Sequence, residues 1–303
     1  MHRRIIALML CILLASSSAL ADEPVRTRLS PDLPVPDYVT WLLEVATGEI
    51  GYTEGERGYT KYGEWAGDPN TQWCAEFLCW SVDQVDQLHG TSLLKNVYPL
   101  YSGQNTGRDW FIRQGRYVTR TGYLNGWGYQ WYPGQEGYLR NGSYIPQPGD
   151  WVFFTWTDDE DTDHVAMVEY SSVDEKGVYY VHVIEGNNPS GVARNVYRLK
   201  DDKILGYGTV HSSVGTTMRG GNTSVQVSEF QQKLVDLGYL DSKYATGTYG
   251  PSTTTAVRNF QKEYGLAVNG RASREMQEKL TVIYGDYVSW LVSEDPPTEE
   301  TNE

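Results

Sequence analysis

Apolar residues Val39, Leu42, Leu43 and Ala46 recur at the three- and four-residue spacing of a single helix face, and Gly48 and Gly51 follow as stop signals. The first folded element is therefore expected to be a helix over residues 38–50. A second helix is expected over residues 73–88. Residues 101–144, rich in glycine and aromatic rings, keep neither a helical nor a strand period and read as long loops with a short helix near Trp110. Their rings either line a groove or pack onto the core. After the turn signal PQPGD at residues 146–150 the pattern changes. Residues 151–156, 165–170, 178–185, 193–199 and 204–209 are short apolar runs separated by turn-forming or acidic stretches, as strands are. Helices followed by antiparallel strands predict an α+β domain over residues 38–211.

Beyond that domain, residues 212–224 are small and polar and read as a flexible linker. Over residues 225–283, Phe230, Leu234 and Leu237 mark one helix face. The turn at Gly250, Pro251 and Ser252 leads into a second helix carrying Ala256, Phe260 and Tyr264, and Ser273 caps a third with Met276 and Leu280 inside. This predicts a small three-helix all-α domain. Residues 284–303 form an acidic, proline-containing tail, expected to lack a fixed fold, and residues 22–37 read as an extended leader. Residues 1–21 begin with basic side chains, continue as an apolar run and end small-x-small at Ala19 and Ala21, the pattern of a cleaved signal peptide. The run is short for crossing about 30 Å of hydrocarbon. The expected location is secreted, extracellular or cell-wall associated, with no membrane attachment after cleavage, and the expected state is a monomer.

Composition narrows the partners. A formal charge of −14 over 303 residues argues against nucleic acid, and it requires that attraction to any anionic polymer come from specific local contacts. The 23 Tyr and 10 Trp suit surfaces that stack on sugars or peptides. Beyond residue 21 the cysteines are Cys74 and Cys79, too few for a disulfide framework, so the core must stabilise the fold. A bridge between these two is disfavoured, because five helical residues separate their Cα atoms by roughly 8–9 Å.

Cys74 falls at the expected start of a helix, where unpaired backbone N–H groups and the positive end of the dipole favour a thiolate. Cys79 suits a buried structural thiol. A nucleophilic cysteine needs a base, and the candidates are His89, His164, His182 and His211. If residues 165–170 and 178–185 form a hairpin around residues 171–176, pairing Tyr170 with Tyr179 sets Val168 against Val181, Ala166 against Val183, and His164 against Glu185. A shift of two residues would set Asn187 there instead. His182 differs in parity from Glu185 and points to the opposite face.

In order along the chain, TKYGEWAG, WCAEFLCW, PQPGDWVFF, DHVAMVEY, VIEGN and ILGYG resemble the cysteine, histidine-dependent amidohydrolase/peptidase (CHAP) domain, from about Val39 to Val210. The resemblance implies a papain-like catalytic domain with Cys74 as nucleophile, His164 as base, and Glu185 and Asn187 as orienting polar groups. An oxyanion hole would include the Cys74 backbone N–H, with Gln72 or Tyr62 as the second donor. FQQKLVDLGYL, GTYGPSTTTAVRNFQKEYGL and VNGRASREMQEKL resemble the three-helix peptidoglycan-binding domain, although Thr246 stands where an Asp is common and RAS replaces a Gly-Pro-type turn. Together they imply an enzyme that cuts an amide bond of peptidoglycan, as an N-acetylmuramoyl-L-alanine amidase or a stem or bridge endopeptidase. The competing reading is an inactive wall-binding or scaffold protein that retains the fold. No cofactor is implied and no zinc spacing is present. The acidic run from Asp158 to Asp163 loosely resembles a calcium loop but lacks its spacing and glycine, and it reads as solvated.

Overall fold

The computed structural model describes residues 25–103, 105–140, 142–157, 161–210 and 214–292. The residues expected as a signal peptide, His211, half of the acidic run (Asp158 to Glu160) and the end of the tail lie outside them. In chain order the elements are β1 (Arg26–Arg28), α1 (Asp37–Gly48), α2 (Lys61–Ala66), α3 (Cys74–His89), α4 (Thr106–Gln114), β2 (Tyr117–Thr119), β3 (Trp127–Trp131), β4 (Trp151–Phe154), β5 (His164–Asp174), β6 (Tyr179–Glu185), β7 (Ala193–Arg198), β8 (Ile204–Gly208), β9 (Gly215–Met218), α5 (Val225–Asp236), α6 (Pro251–Glu263) and α7 (Arg274–Leu291). The molecule is α+β, with a small all-α segment after the sheet.

The main sheet is antiparallel, ordered β2-β8-β4-β5-β6-β7, with β1 added against the far end of β5. Because side chains alternate along a strand, each sheet face makes its own core. Trp151, Phe153, Val165, Met167 and Ile184 point to one side and pack on α1 and α3 through Val39, Leu42, Phe77, Leu78 and Val82. Val152, Phe154, Ala166, Val168, Val181 and Val183 point to the other, covered by Tyr132, Tyr144 and Val214. Part of the aromatic stretch that lacked a sequence period is thus the lid of the second core. The PQPGD turn ties the two together. Asp150, fully buried, accepts from the Tyr144 hydroxyl at 2.5 Å, Gln147 N–H at 2.9 Å and Val210 N–H at 3.0 Å.

Several expectations are corrected. The segment expected as an extended leader contains β1, where Arg26 and Arg28 lie over the rings of Tyr180 and Tyr170. The β5–β6 turn is not at residues 171–176. Asp174 accepts from the N–H groups of Lys176 and Val178, and Gly177 takes the left-handed conformation, so the tight turn sits further along and Ser171 to Val173 stay in the strand. Helix α7 continues to Leu291, into the segment expected as tail.

Residues 212–224 are likewise not a free linker where they are described. β9 pairs with β3, its Met218 bridges to Ala272, and the Met218 side chain is buried in the core of α5–α7. Gln277 donates to the Thr216 carbonyl at 2.8 Å, and the Arg274 guanidinium bonds the Gln135 carbonyl. The ladder-forming segment therefore belongs to both parts of the chain at once. A chain ending at Ser213 loses the partner of β3 and exposes Trp127 and Trp131, whereas one ending at Gly220 keeps it. We expect the shorter chain to melt several degrees lower, by about 2 kcal/mol of lost burial. Equal melting temperatures for the two, followed by tryptophan fluorescence and circular dichroism, would show that β9 contributes nothing to the α+β part of the chain.

Candidate active site

The site forms where the first turn of α3 meets the start of β5 and the end of β6. Cys74 is the first residue of α3. No side chain caps this end, and the N–H groups of Cys74, Ala75 and Glu76 precede the first helical bond, made by Phe77 to the Trp73 carbonyl. The thiol thus sits at the positive end of a sixteen-residue helix. Trp73 anchors that end. It is buried, stacks on Tyr62 at 5.3 Å and donates its indole N–H to Glu54 at 3.2 Å. Gly186 makes the approach possible, because a Cβ there would stand 2.5 Å from the Trp73 ring and 3.1 Å from the Phe77 Cβ. The glycine of VIEGN is therefore what brings the end of β6 against the start of α3.

His164 and Glu185 lie on the same face of the sheet, with His164 Nε2 2.7 Å from Glu185 Oε2. They are not directly opposed. The ladder pairs Met167 with Ile184 and Val168 with Val183, two residues from the expected register, and a bulge at Glu169 separates this end from the turn. A two-residue shift preserves parity, so the pair survives as a diagonal contact. Extending that register would put Asn187 opposite His164, but β6 ends at Glu185. Asn187 takes a positive φ of 62° and donates instead to Gln72 Oε1 at 2.6 Å.

The Glu185 carboxylate is completely buried. Its second oxygen accepts from Asn188 Nδ2 at 2.9 Å, Asn195 Nδ2 at 2.5 Å and the Tyr197 hydroxyl at 2.8 Å. Burial works to raise its pKa, and the bonds from His164, Tyr197 and Asn195 outweigh burial and hold it below the ordinary carboxylate value. For His164, burial works to lower the pKa, while hydrogen bonds and charge from Cys74 and Glu185 push it up to about 9. Since Nε2 is held by Glu185, the nitrogen facing the thiol is Nδ1. Asn195 and Tyr197 were not foreseen. Their signal was legible in β7, where the polar positions alternate inward and Val196 points out.

The other candidates sit elsewhere. His182 bonds the Ser172 hydroxyl at 2.7 Å and stacks on Tyr170 at 4.1 Å, and His89 stacks on Trp41 at 3.9 Å. Cys79 is fully buried, its thiol pushed up to about 12 by burial, and donates to the Pro99 carbonyl at 3.3 Å. Both cysteines are free. Tyr62 is buried and donates to Glu49 at 2.7 Å, so its hydroxyl cannot serve an oxyanion, whereas Gln72 lines the cleft beside Cys74. Asp163 closes its own loop, accepting from the N–H groups of Trp156 at 2.6 Å and Thr157 at 3.2 Å, and Asp161 is bonded by Asn105. Among the described residues no group of three His, Cys, Asp or Glu side chains is placed to hold a metal ion. The cleft itself, about 400 Å³, is walled by Tyr101, Trp156 and Thr162 around Cys74 and His164.

Residues 65–187 match the CHAP domain family, and residues 223–280 match the PG_binding_1 family, a peptidoglycan binding domain. The chain is 38% identical over 72 residues to a spore cortex-lytic enzyme of Halalkalibacterium halodurans, covering 24% of this chain and 22% of that protein. It is 33% identical over 98 residues to the N-acetylmuramoyl-L-alanine amidase CwlL of Bacillus licheniformis, covering 29% and 27%. The matches thus span roughly a quarter of these relatives. No solved structure matches the chain. The chain carries a CHAP domain followed by a peptidoglycan-binding domain.

The raised His164 value gives a pH signature. An imidazolium held charged up to about pH 9 remains able to protonate a leaving amine until then. The alkaline limb of kcat/KM should therefore lie near pH 9. Glu185→Gln removes one of the charges that raise it and should move the limb toward neutral pH, with activity reduced about tenfold or more. An alkaline limb that stays in place in Glu185→Gln would sever the link between that carboxylate and the base.

Proposed function

We propose that this chain is a secreted, cysteine-dependent hydrolase that cleaves an amide bond of peptidoglycan. The observation that carries the reading is the chain of contacts from Cys74 through His164 to a fully buried, four-fold bonded Glu185, set in a cleft and followed by a peptidoglycan-binding domain. The names of the two relatives support the substrate class. The amino-terminal pattern supports export.

In this reading the Cys74 thiolate attacks the amide carbonyl, forming a C–S bond as the carbonyl π pair moves onto oxygen. The charge that develops falls against the free N–H groups at the start of α3, where donors held in place cost no reorganisation. Gln72 supplies the second donor. Its carbonyl oxygen accepts from Asn187, which leaves the NH₂ of this cleft-lining residue to donate. Collapse of the tetrahedral adduct breaks the C–N bond, and His164 gives its proton to the leaving amine. Water, deprotonated by the now neutral imidazole, then hydrolyses the thioester and restores the thiol. Glu185 stays ionised throughout, holding the ring orientation and stabilising the imidazolium. Asn187 acts one step removed, through Gln72 rather than through His164.

Purified peptidoglycan incubated with the protein should release fragments whose new termini report the bond. A new N-terminal alanine with intact glycan marks cleavage next to muramic acid, and cleaved stems or bridges mark an endopeptidase. Cys74→Ala should abolish release, by about 10³-fold or more. Cys79→Ala should retain most of it, since that thiol is buried away from the cleft and carries no charge at neutral pH. Mass spectrometry that finds no fragments from the folded wild-type protein would overturn the assignment in favour of a wall-binding protein without activity.

A further inference from the structure

The catalytic cleft does not end at the catalytic residues. Thr157, on its rim, also walls a neighbouring depression of about 420 Å³. That depression shares Thr119, Gly122, Tyr123 and Leu124 with a third of about 360 Å³. The third is built from β3, β9 and the peptidoglycan-binding domain, which contributes Arg271. The Cys74 cleft and the two further depressions thus share wall residues in succession, from the cleft to the junction of the two domains.

The junction end has an unusual chemistry for this chain. In a protein of net charge −14, its wall holds Arg140, Arg219 and Arg271 and no acidic residue. Among the described residues none of the three guanidinium groups has a hydrogen bond, ion pair or ring partner in the protein. Tyr123 and Tyr129, on the same wall, are 80% and 71% exposed. Arginines left without protein partners, beside exposed aromatic faces, are the donor set for a ligand that carries both carboxylates and sugar rings. The groove is also preformed. β9 is fixed to β3 on one side and to Ala272 on the other, and Gly126 lies so close to the backbone of Asn222 that no side chain fits between them.

We infer that these depressions form one extended binding groove for a carboxylate-bearing glycopeptide chain several units long, with the arginines of the domain junction gripping carboxylates distant from the bond to be cut. The inference rests on the proposed substrate class and adds to it a second contact region, shared by both domains. In this arrangement the peptidoglycan-binding domain completes the substrate groove rather than acting as a separate tether.

Binding is measured on the full chain carrying Cys74→Ala, so that catalysis does not enter. The probes are soluble peptidoglycan chains of several disaccharide-peptide units, the same chains with their carboxyl groups amidated, and single disaccharide-peptide units. Calorimetry gives the affinities, with the change in tryptophan fluorescence that is lost in Trp127→Phe as a second readout from the groove wall. The multi-unit chains should bind. Arg219→Gln/Arg271→Gln should weaken them by about tenfold or more, and amidation should do the same. In the Cys74 background the double variant should hydrolyse single units at the wild-type rate and long chains with raised KM. Among the described residues these guanidinium groups have no protein partner, so their loss should leave the fold intact, and Tyr123→Ala, at an exposed position, provides an independent variant of the same wall. Affinity for long chains that is unchanged by both the arginine and the tyrosine variants, or equal for native and amidated chains, overturns the groove. Arginine-dependent binding without any hydrolysis by the wild-type protein would uphold the groove and sink the enzymatic reading instead.

Discussion

The buried carboxylate of Glu185 is the constraint from which the site follows. An ionised group taken out of water is costly unless every lone pair finds a donor. Here His164, Asn188, Asn195 and Tyr197 supply those donors. The four come from β5, β7 and the connection after β6, so satisfying one carboxylate fixes how three pieces of the sheet edge meet. It also fixes the imidazole. With Nε2 committed to Glu185, Nδ1 has to face the start of α3, where the Cys74 thiol stands at the first residue of the helix. Removing one partner of such a pair costs about 3–5 kcal/mol, because the other is left buried and charged. The same residues therefore specify the fold at this edge and, in the proposed reaction, its proton inventory.

Much of this was legible in the sequence because parity is more robust than register. The hairpin was expected to pair Val168 with Val181 and instead pairs it with Val183, with a bulge at Glu169. A two-residue slip leaves every side chain on its face, so His164 and Glu185 still meet and His182 is still excluded. What parity could not supply was the end of the ladder. The turn of the chain at Asn187 depends on a positive φ, and the close approach of Gly186 to Trp73 depends on a tertiary neighbour. Neither has a period. Ser171 and Ser172 read as turn residues, yet their hydroxyls are satisfied inside the sheet, by the Pro146 carbonyl and by His182.

The misread linker has a similar origin. A stretch of glycine, serine and threonine carries the composition of a flexible connection, and what makes β9 a strand is supplied from outside it. Gly215 lies under the Trp131 ring where a side chain would clash, Thr216 accepts from Gln277 through its carbonyl, and Met218 fills the core of the three helices. Small residues are selected here for close approach rather than for freedom. Composition alone cannot distinguish the two, since the distinction lies in residues nearly ninety positions upstream and sixty downstream.

The rigid junction also answers a difficulty posed by the overall charge. A net charge of −14 repels a carboxylate-bearing polymer, but at physiological salt that repulsion is largely screened beyond about 8–10 Å, so the charge nearest the contact decides. A flexibly tethered wall-binding domain would raise the local concentration of the active site but leave that repulsion acting on the catalytic cleft separately. In the proposed groove, Arg140 before β4, Arg219 just after β9 and Arg271 of the peptidoglycan-binding domain together instead present positive charge at one place along the wall. In that proposal the substrate chain is held where the wall carries arginines and no acidic residue. The geometry that makes this possible is the same one that removes the freedom of the linker, so the loss of independent domain motion and the gain of a composite groove are two consequences of the pairing of β3 with β9.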